Sequence, residues 1–197
     1  MEVIDDKIKS YWDWFIKNIS QINPQTITKD MINLLDSNIL ELGDFAWEIR
    51  EGINKANMLI ISPGGDIDLL SQTKKIIEKA PETPDWEFEY FKPAKKWDYS
   101  FSLHGVKGEI NASNWEYVLL KFSDGTFDVL IKADNINFLD ENDKNIAVDI
   151  VLESILGEEP YLTYITNYEI VSTFEGKYEG KENKITVLSN HFKQSLS

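Results

Sequence analysis

Cysteine is absent from the 197 residues and histidine occurs only as His104 and His191. The first absence excludes disulfides, thiolate metal sites and cysteine nucleophiles outright. The second leaves no paired-ligand spacing of the kind zinc requires, and neither histidine sits in an H-E-x-x-H arrangement. No serine stands in G-x-S-x-G, and no glycine cluster has the form of a P-loop or of G-x-G-x-x-G. No apolar run approaches the roughly 20 residues of a membrane span. Met1-Glu2-Val3-Ile4-Asp5-Asp6 carries acid where a secretory signal needs base.

Basic residues are also scarce. Lysine and arginine number 20 against 34 aspartates and glutamates, for a net charge of −14 and a pI near 4.5. Such a surface repels phosphate backbones and anionic lipids, which argues against nucleic-acid and membrane roles. It confers solubility, and it attracts a basic protein partner. We expect a cytoplasmic protein of a bacterium, without a metal or other cofactor. In that setting the glycosylation-type triplets at Asn18 and Asn111 have no meaning. The oligomeric state is not written in this composition.

What is present suits a sizeable core: 42% of residues are hydrophobic and 12% aromatic. We expect a single compact domain over 1–197, with a helical hairpin in 1–43, one half in 44–94, a second half in 109–175 and a terminal element in 176–197. Ile4, Ile8, Tyr11, Trp12, Phe15, Ile16 and Ile19 recur at spacings of three and four, which predicts an amphipathic helix over 4–20. Met31, Leu34, Leu35, Asn38, Ile39 and Leu42 predict a second, with Thr28 as N-cap and Gly43 as a left-handed terminator.

The halves share a pattern of two strands, a helix and a third strand. In the first, Phe45, Trp47 and Ile49 alternate with polar residues, Met58-Leu59-Ile60-Ile61 reads as an interior strand, and Trp86, Phe88 and Tyr90 alternate again. The helix between the last two implies a right-handed crossover and a parallel pair. Trp47 and Trp86 are expected buried on one face of one sheet. Residues 92–112 read as the joint. In the second half, Trp115–Phe122 and Phe127–Lys132 flank Ser123-Asp124-Gly125-Thr126, a hairpin turn. Ile146, Ile150, Val151 and Ile155 predict a helix ended by Gly157, and Tyr168, Ile170 and Phe174 a last strand. The fold class is therefore α+β: mixed, mainly antiparallel sheets from two ββαβ-like halves, with the N-terminal helical hairpin packed on a sheet. The same strand order is expected in both.

Candidate sites are few. Ser62-Pro63-Gly64-Gly65-Asp66 lies between a strand and a helix, where backbone amides cradle anions, but Asp66 reads better as the N-cap. Asp140-Glu141-Asn142-Asp143 resembles a calcium loop, yet Asn145 and Val151 stand where that loop needs glycine and a carboxylate. Its acids then serve as cap and first-turn charge. His104 would need Ser100, Ser102 or Asp98 beside it to make a hydrolytic site. Possible partner-binding residues are Trp14, which lies off its helix's main stripe, Trp97 in the basic joint, and the acids Asp140, Glu141, Asp143, Glu158 and Glu159.

Leu59-Ile60-Ile61-Ser62, the glycine turn, Ile76-Ile77-Glu78-Lys79-Ala80-Pro81, Asp85-Trp86-Glu87-Phe88 and Phe91-Lys92-Pro93 together resemble a widespread family of uncharacterised bacterial proteins. Members often begin with an aromatic helix like Tyr11-Trp12-Asp13-Trp14-Phe15. The resemblance covers about the first half of the chain. It implies a bacterial cytoplasmic α+β protein and no enzyme site. Two functions fit these observations: a non-enzymatic interaction module with an acidic surface, for instance an immunity protein masking a basic toxin, or a small-molecule binder or enzyme with a cleft between the halves.

Overall fold

The computed structural model describes residues 2–196 and divides into two compact units, Met1–Lys92 and Pro93–Ser197. The fold is α+β.

The first unit opens with helix α1, Glu2–Asn18, extended by a short 3₁₀ turn over Ile19–Gln21. Helix α2, Lys29–Leu40, follows, and the Thr28 hydroxyl caps it by accepting from Met31 N at 3.3 Å. Strands β1, Ala46–Glu51, and β2, Asn57–Ser62, pair antiparallel; helix α3, Leu70–Ile77, then crosses to strand β3, Trp86–Glu89, which lies parallel to β2. Trp47 faces Ile61, Ile49 faces Leu59, and Leu59 faces Phe88. By alternation these residues and Trp86 share the face on which α1, α2 and α3 place Ile8, Phe15, Leu35, Ile39 and Ile76.

Aromatic edges dominate that core. Phe15, fully enclosed, meets the rings of Trp86 at 5.3 Å and Phe88 at 5.6 Å, both edge-on. The Trp12 indole N–H donates to Ile76 O at 2.9 Å and ties α1 to the end of α3. Trp86 is buried as expected, while Trp47 is only half-buried because its N–H reaches out to Asp36 Oδ1 on α2 at 2.9 Å. The helix stripes are narrower than the periodicity implies: Ile4, Ile16 and Leu34 are exposed. Gly43 is not left-handed. A Cβ there would lie 2.6 Å from the Phe45 ring, so close approach rather than positive φ requires the glycine.

The second unit begins at once with the residues read as a joint. Trp97, Tyr99 and Phe101 pack on its core, and strands β4, Ser100–Phe101, and β5, Ile110–Asn111, pair within it. Strands β6, Glu116–Lys121, and β7, Phe127–Lys132, form the expected hairpin, in whose turn Gly125 is left-handed and Asp124 accepts from the Thr126 backbone and hydroxyl. Helix α4, Glu141–Leu156, and helix α5, Glu158–Tyr164, lead to strand β8, Ile165–Ile170, parallel to β7. Gly157 between the helices has φ 87°, which lets the chain turn there.

Strand β9, Asn183–Lys184, pairs with β6, and the terminal segment becomes helix α6, Leu188–Leu196. The sheet order is β8-β7-β6-β9, so the β6-β7-β8 portion repeats the β1-β2-β3 order and senses of the first unit. Phe127, Val129 and Ile131 point from β7 to Val148, Val151, Leu152 and Phe192 on α4 and α6. Ile155 is buried with them, while Ile146 is exposed and Phe174 lies beyond β8.

Candidate functional site

The acids singled out around α4 do not form one patch. Asp140 caps the helix, its Oδ1 accepting from Asp143 N at 2.9 Å, and Glu141 pairs with Lys144 at 2.7 Å. Asp143 is half-buried beside them. Glu158 and Glu159 stand past the other end of this 16-residue helix, about 24 Å along its axis at ~1.5 Å per residue. Glu158 is fully buried and Glu159 half-buried, whereas a partner-binding role needs them exposed. A continuous acidic contact surface over all five is ruled out by this placement.

The tryptophans are similarly engaged. Trp14 is half-buried, its ring 6.1 Å from Tyr11. Trp97 is half-buried against Tyr99 at 5.4 Å, and its indole nitrogen is enclosed without a hydrogen-bond partner. His104 is exposed; Ser100 Oγ instead accepts from Asn111 Nδ2 at 2.8 Å, and Asp98 accepts from Ser100 N at 3.1 Å. His191 Nδ1 lies 2.8 Å from the Tyr117 hydroxyl, whose pKa burial pushes up to about 12. Among the described residues no group of three or more His, Asp or Glu is placed to hold a metal ion.

One polar constellation escaped the sequence reading. Tyr161 donates to Asp149 Oδ1 at 2.6 Å, and Tyr168 donates to Asn145 O at 3.3 Å. Burial first, then the Asp149 carboxylate, raises both phenols far above the ordinary tyrosine range. Both phenols remain protonated hydrogen-bond donors at physiological pH. The constellation clasps α4 to α5 and β8.

The second unit's sheet offers a different feature on the face opposite α4 and α6. Alternation turns Asp128 and Leu130 of β7 to that side, with Asn167 and Glu169 opposite them on β8. There a groove of about 440 Å³ has Leu120, Leu130 and Val171 in its floor, Phe174 and Tyr178 beside it, and the carboxylates of Asp128, Glu169 and Glu175 along it. No lysine or arginine lines it. Thr166 Oγ1 donates to Asp128 at 2.8 Å, while Glu169 and Glu175 are exposed. Lys177 lies over the Tyr178 ring at 4.9 Å, outside the lining. An apolar floor edged by carboxylates is the kind of surface that suits the methylenes and charge of a lysine or arginine. β8 is also the edge strand of its sheet. No sequence signal joins Leu120 to Glu175; only the strand register and the returning loop do.

The fold defines a class, an α+β protein of two ββαβ units. No family model, curated protein or solved structure matches the chain. Among the described residues no helix is long and apolar enough to cross a membrane.

Proposed function

We propose that this chain is a non-enzymatic interaction module that captures a basic protein segment in the acidic groove along β7 and β8. An immunity protein masking a basic toxin is one version. The observation that carries the reading is the groove's lining: three carboxylates and two aromatic rings over an aliphatic floor, with no basic side chain among them. The chain's charge of −14 supports it by steering a basic partner inward. The bacterial cytoplasmic setting, and kinship with the uncharacterised family that residues 59–93 resemble, belong to the same proposal and add no activity.

The test is the association of a lysine-rich peptide with the full chain. Glu169→Lys together with Glu175→Lys reverses two exposed groove charges and is expected to slow association tenfold or more. Parent association should also fall as the Debye length shrinks from about 30 Å at 0.01 M to about 8 Å at 0.15 M salt. Asp140→Lys with Glu141→Lys, at the cap of α4, should change it far less. Equal losses from both pairs, or binding indifferent to salt, would sink the groove as the contact.

A further inference from the structure

We infer that the basic partner segment is held as an added strand on the open edge of β8, its backbone bonded to Tyr168 and Ile170 and alternate lysine or arginine side chains laid into the groove. This rests on the groove reading above and adds the mode of capture, an extended segment rather than a helix.

The backbone of β8 carries the inference. Val171 N donates to Ile131 O at 2.8 Å, in register with the pairing of Ile131 and Ile170. Alternate residues of a strand bond the same neighbour, so Glu169 and Val171 turn their N–H and C=O to β7. Tyr168 and Ile170 turn theirs the other way, to the side on which the sheet ends. Among the described residues no side chain or turn bonds to those four groups. Such a row of backbone donors and acceptors is a template for another strand.

β8 is also the barest edge strand longer than two residues. Its Thr166, Asn167 and Glu169 are exposed and none of its six residues is buried, whereas β3 exposes none and β1 only Glu51. A strand laid against it stands about 4.8 Å away, and paired residues share a face. The residue opposite Glu169 then points to the groove side, where Asp128, Glu169 and Glu175 stand, and so does the residue two places along. Residues between them point to the other side. There β8 meets α4 and α5 in a second recess of about 440 Å³, lined by Asn145, Tyr161, Ile165 and Tyr168. A segment alternating basic and uncharged residues suits both sides.

Charge decides the occupant. Pairing two copies through β8 would set Glu169 and the groove carboxylates of one chain beside those of the other, on chains of −14 each. Like charges opposed on neighbouring strands are destabilising, so the edge is guarded against itself and open to a basic strand.

The experiment is amide hydrogen exchange by NMR on the full chain, alone and saturated with a heptapeptide of alternating lysine and valine. In the free chain the Tyr168 and Ile170 amides should exchange at least tenfold faster than those of Glu169 and Val171, and bound peptide should slow them at least tenfold. Two N-methylated peptides, one blocked at the valine amides and one at the internal lysine amides, keep the same charge. One should bind like the parent and the other at least tenfold more weakly, because only one set of amides faces β8. Peptide binding that leaves Tyr168 and Ile170 exchanging freely, or that both methylated peptides reproduce alike, overturns the added strand and leaves the groove reading in place. No binding by the parent peptide, or binding that Glu169→Lys with Glu175→Lys leaves unchanged, removes the groove reading and this inference with it. Protection of Tyr168 and Ile170 that rises with protein concentration in the absence of peptide would assign the edge to a second copy and overturn the basic strand.

Discussion

The two units build the same strand order with the same senses, antiparallel then parallel, yet complete it with different cores. In the first, α1 and α2, which precede the sheet, join the crossover helix α3 in covering it, and Tyr11, Trp12, Phe15, Trp86 and Phe88 interlock edge to face. In the second, the cover comes from the crossover itself and from α6 after the sheet, and Val129, Ile131, Val148, Val151 and Leu152 supply an aliphatic core. Tyr161 and Tyr168 then fasten its periphery by hydrogen bonds. The second unit's crossover is also the longer: α3 has 8 residues, whereas α4 and α5 have 16 and 7. A ββαβ scaffold thus sets where a helix layer is needed without dictating which part of the chain provides it.

The largest expected effects separate the two cores. Phe15→Ala should cost about 3–5 kcal/mol and Leu152→Ala about 2–5 kcal/mol, because each leaves a cavity in a closely packed interior. Amide hydrogen exchange should show protection lost first within 2–92 for the former and within 93–196 for the latter. Uniform loss along the chain in both variants would break the comparison and mean one cooperative core.

A smaller effect follows from the tyrosines. The fold raises Tyr11 in the first unit and Tyr117, Tyr161 and Tyr168 in the second above their ordinary pKa of 10.0. A phenol raised by folding stabilises fully below pH 10 and loses that contribution as pH climbs through its folded value, about 12 for Tyr117. The second unit should therefore yield first to alkali in denaturant titrations. Tyr161→Phe should cost about 1.5–3 kcal/mol at neutral pH by removing a hydrogen bond to a carboxylate, and it should flatten the alkaline limb. An alkaline limb unchanged by that variant would show that the clasp does not govern it.

The smallest effect lies on the first unit's surface. Lys75 and Lys79 each approach Asp5 Oδ1 to 2.8 Å, and the hydrogen bond from Lys75, followed by that from Lys79, lowers the carboxyl from 3.8 to about 2. A depressed carboxylate pKa stabilises above the unfolded value and loses that contribution as pH falls through the folded one, so the window lies between 3.8 and about 2. Asp5→Asn should lower the melting temperature slightly above that window and not below it, and added salt should shrink the difference because the pair is solvent-exposed. A difference persisting at lower pH would assign the effect to packing.

Much of the scaffold was legible because its signals are local. Thr28, Asp66 and Asp140 cap the segments they were expected to open, since each bond spans only two or three residues. The parallel pairing of β2 with β3 followed from a helix between two strands. The units divide at Lys92, where the basic, proline-containing stretch begins, but Trp97, Tyr99 and Phe101 beyond it pack on the second unit's core, which only the tertiary structure reveals. Gly43 was assigned a left-handed turn from its place after a helix, whereas its reason is the ring of Phe45.

Composition and periodicity by themselves determined the fold class, the three-strand order within each half, the absence of thiol chemistry and the acidity of the chain, because each is set by residue type or by neighbours a few positions apart. Tertiary structure alone decided that Glu158 is buried while Glu169 and Glu175 stand exposed along a groove, that Tyr11 keeps an unpaired hydroxyl, and that Asp149 meets Tyr161. The physical reason is reach. A cap or an amphipathic stripe is specified within a turn or two of chain, but a site assembled from distant elements depends on register and packing, where a shift of one residue turns every side chain of a strand to the opposite face.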